Sequence, residues 1–222
     1  MKFIAYLLLA VLLLSSLTGC RSNVPQETNG SIVPTDSTGA STPTHATQST
    51  DQTASSEPDQ AAGTANTESA QILKKIWDSY GEDERFAAYG GQVEMAVNDG
   101  PGDLDITAAE ELTTRYLLPQ EQIGMVTEGA SLVHLMNNNI FTAVVFRMKD
   151  GGQIKPVADA WHKAIRENRW ICGQPDRLLL AQVDDNHILM SFGSQDLMTG
   201  FEGKLKAAYP DSKMLYKEAI VA

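Results

Sequence analysis

Four groupings of side chains in this sequence are of types that do chemistry. The first is Cys172 with His162 or His187, since a thiol and an imidazole base are the minimum for nucleophilic catalysis. A thiolate nucleophile also needs a cause for a lowered pKa, and no local signature surrounds Cys172, so it reads as a small, semi-buried thiol. The second is His134, His162 and His187, three imidazoles of the kind zinc takes. They fall on different expected elements, with no pair four residues apart and no Cys-x-x-Cys, so no metal is expected. The third is Asp99, Asp103 and Asp105 in a Gly/Pro-rich loop, acidic enough for calcium but not spaced as an EF-hand loop requires. The fourth is the paired carboxylates Glu110-Glu111 and Asp184-Asp185, expected to cap a helix start and to be solvated in a turn. A Gly-x-Ser-x-Gly elbow, a dinucleotide fingerprint and a phosphate loop are all lacking. No catalytic residue and no cofactor follow from this reading.

The remaining cysteine is Cys20. Met1-Lys2 is a short basic start, Phe3 to Leu14 is almost unbroken apolar sequence, and Leu17-Thr18-Gly19-Cys20 closes it. That is the make-up of a secretory signal, and it is too short for a spanning helix of about 20 apolar residues. Leu-Thr-Gly-Cys resembles the bacterial lipobox. The resemblance implies that Cys20 Sγ carries a diacylglyceryl group and becomes the N-terminus after cleavage of residues 1–20. Two acyl chains anchor stably where one anchors only reversibly, each buried methylene contributing about 0.8 kcal/mol. Everything after Cys20 is then expected on the extracytoplasmic side of a cell membrane.

The elements that must position the other groups come next. Residues 21–66 are Ser, Thr, Gln, Asn, Asp, Ala, Gly and Pro with isolated Val24, Ile32 and Val33, and so read as a disordered spacer. Residues 67–222 form the expected domain, of a size that buries roughly 70% of its unfolded surface and needs no disulfide. A formal charge of −11 argues against a nucleic-acid binder, which needs a basic footprint. It also argues against adhesion to anionic lipid by charge.

Within the domain, Ile72, Leu73, Ile76, Trp77 and Tyr80 mark one face of a helix ending at Gly81. Phe86 and Tyr89 suggest a further helical turn, and Gln92 to Val97 a short strand. Thr107-Ala108-Ala109-Glu110 has the form of a capping box, opening a helix to about Leu117. Ala130–Met136 and Ile140–Met148 read as strands turned by Asn137-Asn138-Asn139, residues that tolerate positive φ. A strong amphipathic helix follows, its stripe made by Ile154, Val157, Ala158, Trp161, Ala164 and Ile165. Leu178–Val183 and Ile188–Phe192 are again strands. Ser194 then caps a helix carrying Leu197, Phe201, Leu205 and Ala208, and Met214–Val221 ends the chain as an edge strand. Trp77, Trp161 and Trp170 are of a type to line a ligand groove, but helical spacing puts the first two in the core. The fold class is therefore α+β: N-terminal helices, then strand–strand–helix twice, forming an antiparallel sheet on which each helix covers its own hairpin.

A lipobox, a Ser/Thr-rich spacer and a terminal domain of this size resemble the uncharacterised lipoproteins common in Gram-positive anaerobes. The likeness runs through the Ile76-Trp77 helix and the Phe141-Thr142-Ala143-Val144-Val145-Phe146 hairpin strand. It continues through the helix after Asp150-Gly151 and the Ile188–Gly193 strand. That family implies a location and no assigned activity. The expectation is a lipid-anchored extracytoplasmic lipoprotein with a monomeric, non-enzymatic domain that binds a protein or envelope component. An envelope hydrolase and a small-ligand or metal carrier stand as the alternatives.

Overall fold

Two apolar runs, Phe141–Met148 and His187–Gly193, lie side by side at the centre of one antiparallel sheet. The computed structural model describes residues 63–220. The expected signal sequence, the lipobox-like Leu17-Thr18-Gly19-Cys20 and nearly all of the expected spacer lie outside the described residues. The strands are β1 (Ala88–Gly90), β2 (Val97–Asn98), β3 (Gly102–Asp103), β4 (Val126–His134), β5 (Phe141–Met148), β6 (Arg177–Gln182), β7 (His187–Gly193) and β8 (Lys213–Ala219). The helices are α1 (Glu68–Trp77), α2 (Ala109–Thr114), α3 (Ile154–Glu167) and α4 (Gln195–Ala208). The sheet runs β2-β1-β4-β5-β7-β6-β8, and β3 pairs with β4 alongside β1. The fold is α+β.

Both faces of this sheet are buried. β7 is buried along its whole length, which explains why it reads as continuous apolar sequence instead of alternating. Val144 and Phe146 of β5 pack with Val157, Trp161 and Ile165 of α3 on one face. Ala143 and Val145 pack with Leu73 and Ile76 of α1 and Phe201 and Leu205 of α4 on the other. The expectation that each helix covers its own hairpin holds for α4, which packs on β6 and β7, whereas α3 reaches past β5 to lie over β6, β7 and β8 as well, and the two helices take opposite faces. The reason is topological. β5 and β6 are each antiparallel to β7, hence parallel to one another, and α3 crosses between them. β7 and β8 are likewise parallel across β6, joined by α4. The two crossovers step the same way across the sheet from strands that point opposite ways. The right-handed rule then sends their helices to opposite faces.

Local differences have local causes. Tyr89 is in β1, paired with Val133, and only Glu82–Glu84 makes a helical turn before it. The strand expected over Gln92–Val97 is a 3₁₀ turn at Val93–Met95 followed by the two residues of β2. Thr107 and Glu110 do not form a capping box: Thr107 donates from N and Oγ1 to Asp105 Oδ1, and α2 starts at Ala109. That helix stops at Thr114, short of Leu117, which takes φ +56°. The Asn turn is held by Asn139 N donating to Asn137 Oδ1 and needs no positive φ. Ser194 is the residue before α4, as expected, but Asp176 Oδ2 accepts from Gln195 N in place of the serine hydroxyl.

Candidate functional site

α1 begins over one end of the sheet, and four carboxylates gather there. Asp103, from β3, closes the helix start. Its Oδ1 accepts from Thr67 N and Oγ1 at 3.1 and 2.6 Å, and its Oδ2 from Thr64 Oγ1 and Asn66 N at 2.8 and 2.9 Å. The boundary drawn at residue 67 therefore falls inside this clamp: Thr64 and Asn66, assigned to the spacer on composition, are held by the domain. Burial by itself raises the Asp103 carboxyl. The hydrogen bonds from Thr67, Asn66 and Thr64 outweigh it and hold the group below the ordinary carboxylate range.

A pH signature follows. A carboxyl lowered in the folded state stabilises fully above its unfolded pKa, about 3.9, and loses that contribution as pH falls through its folded value. Asp103→Asn is expected to reduce the unfolding free energy by about 1–3 kcal/mol at neutral pH. Urea midpoints of variant and wild type should draw together only as pH falls below the ordinary carboxylate range. A gap that stays constant with pH would show that the ionised carboxylate is not what holds the clamp.

The second carboxylate is Glu128, whose Oε1 accepts from Ser69 N at 2.9 Å and Ser69 Oγ at 3.2 Å, in the first turn of α1. It is the β-bulge that aims it there. Val126 packs on the α3 face, and regular alternation would put Glu128 on that same face. The register shift between Val126 and Glu128 turns the strand over, so Glu128, Ala130 and Leu132 all face α1. The third, Glu68, is the first residue of α1.

His187 faces these two. It lies opposite Arg147 in the β5–β7 register, and Arg147 lies opposite Glu128 in the β4–β5 register, so the three form a row across the sheet. The His187 side chain is only 5% exposed. Its Nδ1 sits 2.9 Å from both carboxylate oxygens of the fourth acid, Asp184. Burial raises the Asp184 carboxyl, but the amides of Asn186 and His187 and the imidazole hold it below the usual range. Nε2, on the far side of the ring, has no hydrogen-bond partner; it lies 3.7 Å from Glu128 Oε1 and 3.8 Å from Glu68 Oε2. The Arg147 guanidinium is 3.3 Å from the same Glu68 oxygen. Among the described residues, Glu68, Glu128 and His187 are the one trio of His, Cys, Asp and Glu whose donor atoms converge, all within 4.8 Å. Asp184 also lines a neighbouring cleft of about 510 Å³, with Asp185, Asp211, Tyr209 and Lys213 around it.

The other expected groups are scattered. His134 ends β4, stacked on Phe86, with Nδ1 accepting from Met136 N, and burial lowers its pKa. His162 is on α3, across the sheet from His187, its Nε2 2.8 Å from Glu218 Oε1 and its ring stacked 4.0 Å from Tyr216. Cys172 is exposed, not semi-buried, in a left-handed turn at φ +63°. Asp99 pairs loosely with Arg85 at 3.7 Å and Asp105 holds Thr107, so neither joins Asp103. Glu111 pairs with Arg115 at 3.1 Å within α2. Trp77 and Trp161 are core residues, while Trp170 is half-buried against Phe192.

His187 was in view from the sequence; Glu68 and Glu128 were not. Their only sequence signal is position: an acid at a helix start and an acid ahead of a strand. Comparison with protein-family models, with curated proteins and with solved structures gives no match for this chain.

Proposed function

We propose that this chain is a lipid-anchored extracytoplasmic lipoprotein, held through Cys20, whose domain binds rather than catalyses. The observation that carries the location is Leu17-Thr18-Gly19-Cys20 behind an apolar run with a basic start. No helix among the described residues is long and apolar enough to cross a membrane. Binding is supported by how the histidines are used. His187 Nε2 is turned toward two carboxylates, and His162 Nε2 already meets Glu218. Neither nitrogen has a hydroxyl or thiol as its hydrogen-bond partner, so neither is placed to activate a side-chain nucleophile.

The second reading, an envelope hydrolase, draws on the Asp184–His187 pair, which has the carboxylate–imidazole relation of a base and its orienting group. The exposed thiol of Cys172 is at the other end of the sheet from it, beside the β4–β5 turn, where Asn137 donates to its carbonyl. That placement favours binding.

Cys20→Ser is expected to abolish incorporation of labelled fatty acid and to leave the apolar leader attached. Mass spectrometry of the N-terminus reads both results at once. Labelled lipid on the serine variant would remove the anchor from this proposal.

A further inference from the structure

We propose that Glu68, Glu128 and His187 form a binding site for a divalent transition-metal ion, with zinc the best fit. The inference concerns the domain alone and does not depend on the lipid anchor.

It starts from the unpartnered nitrogen. His187 is buried at the start of β7, and its Nδ1 is shared between the two oxygens of Asp184. An ionised carboxylate accepts only, so Nδ1 carries the proton and donates. In the neutral ring the Nε2 lone pair is then aimed at Glu128 and Glu68. Distances of 3.7 and 3.8 Å are too long for hydrogen bonds. They also leave that lone pair facing two carboxylates whose own donors come from elsewhere, Ser69 for Glu128 and Arg147 for Glu68. A cation between them satisfies all three together.

The spacing suits an ion of zinc's size. Two ligands about 2.1 Å from zinc at a tetrahedral angle lie about 3.4 Å apart. The two separations from His187 Nε2 are a few tenths of an ångström wider, and the three donor atoms all lie within 4.8 Å, so an inward swing of Glu68, whose side chain is 64% exposed, closes the shell. One imidazole nitrogen with two carboxylate oxygens is a borderline donor set, suited to zinc and its first-row neighbours more than to calcium, which takes oxygen alone. Three protein ligands leave a coordination position for water or a partner's group on the Glu68 side, where the cluster reaches solvent.

The surrounding groups are those such a site requires. Asp184 behind His187 makes the carboxylate–histidine relay that fixes the tautomer of a ligating imidazole. Ser69 N and Oγ fix Glu128, and that carboxylate also neutralises a helix amide that would otherwise repel a cation. The charges facing the site are Glu68, Glu128 and Asp184 against Arg147. The balance is −2, matched to a dication. Arg147, 3.3 Å from Glu68 Oε2, holds that carboxylate in the absence of an ion and is its competitor.

The test is zinc titration of the full-length chain against a chromogenic chelator, with X-ray absorption at the zinc edge. One zinc per chain is expected, in a nitrogen/oxygen shell with a single imidazole, and with a rise in Tm on loading. His187→Gln and Glu128→Gln should each weaken binding about tenfold or more. Asp184→Asn, acting through His187, should weaken it about 10–100-fold. His162→Gln, on the opposite face, should change nothing. Glu68→Gln is the variant that keeps the claim falsifiable where a buried substitution fails to fold, because Glu68 is exposed; it should keep the apo Tm and lose the zinc-induced rise. Absence of zinc binding by the wild type would overturn the proposal. Binding unchanged by Glu68→Gln and His187→Gln, or a shell with several imidazoles, would overturn it too, by placing the ion on surface histidines.

Discussion

Trp161→Ala is expected to remove most of the stability of this domain. Trp161 is fully buried on α3, its ring 5.5 Å from that of Phe146, at the centre of the face that β5, β6 and β7 share. Truncating such a residue typically costs about 3–5 kcal/mol, because the cavity left behind closes only partly. There is a further cost here. Trp161 Nε1 donates to the carbonyl of Tyr116 at 2.8 Å, tying the end of the α2 segment to α3. Leaving that buried carbonyl unpaired adds about 1–3 kcal/mol. Set against a typical total of about 5–15 kcal/mol, the variant should be largely unfolded at physiological temperature. Trp161→Phe separates the two effects: it keeps most of the ring volume and should lose mainly the hydrogen-bond contribution. Lys163→Ala, two residues on, is the control; its side chain is 73% exposed and 4.0 Å from Glu167, so a change of about 0.5 kcal/mol or less is expected. Denaturant midpoints for the three variants decide the matter, and a Trp161→Ala midpoint equal to wild type would refute this packing.

One substitution, glycine to alanine, should act with opposite sign at two places. At Gly90 an added Cβ would lie 2.2 Å from Gly102 N and from Ser131 O, and 2.5 Å from the Pro101 carbonyl carbon. These are backbone atoms of β3, β4 and the loop before β3, so no side chain can swing aside. β1 would have to move by more than about an ångström to restore ordinary contact. The next residue, Gly91, donates from N to Ser131 Oγ, which also accepts from Tyr116 OH, and this buried pair of bonds would be disturbed with it. Overpacking of this kind costs about 1–3 kcal/mol and sometimes more; the backbone contacts place Gly90→Ala at the upper end. At Gly200, inside α4, an added Cβ meets nothing within 4 Å. There the helix gains about 0.5–1 kcal/mol, since alanine loses less backbone freedom on folding than glycine. Thermal midpoints should fall for Gly90→Ala and rise for Gly200→Ala. Shifts of the same sign would mean that β1 and β3 do not cross as closely as described.

What was legible in the sequence is what periodicity determines. The apolar stripe from Ile154 to Ile165 has helical spacing, and α3 buries it on the sheet. Trp161 is a core residue for the same reason. The four central strands lie close to where the apolar runs place them, since each run is long enough to outweigh local alternatives. The class, α+β with antiparallel hairpins, followed from those runs and the short turns between them. Tertiary structure alone decided the rest. Strand order set which face each helix covers, because the crossovers start from strands pointing opposite ways, and direction within a sheet has no trace in local sequence. Short elements such as β1, β2 and β3 take their form from β4 beside them, so Tyr89 and Val93 carried the wrong local signal. The candidate site is the extreme case. Glu68, Glu128, Asp184 and His187 come from a helix start, a bulged strand, a turn and a strand start. A single extra residue at Thr127 rotates Glu128 from one side of the sheet to the other. Periodicity records which residues share a face within one element, but not a bulge that changes the face, nor a helix docked over the far end of a sheet from it in sequence.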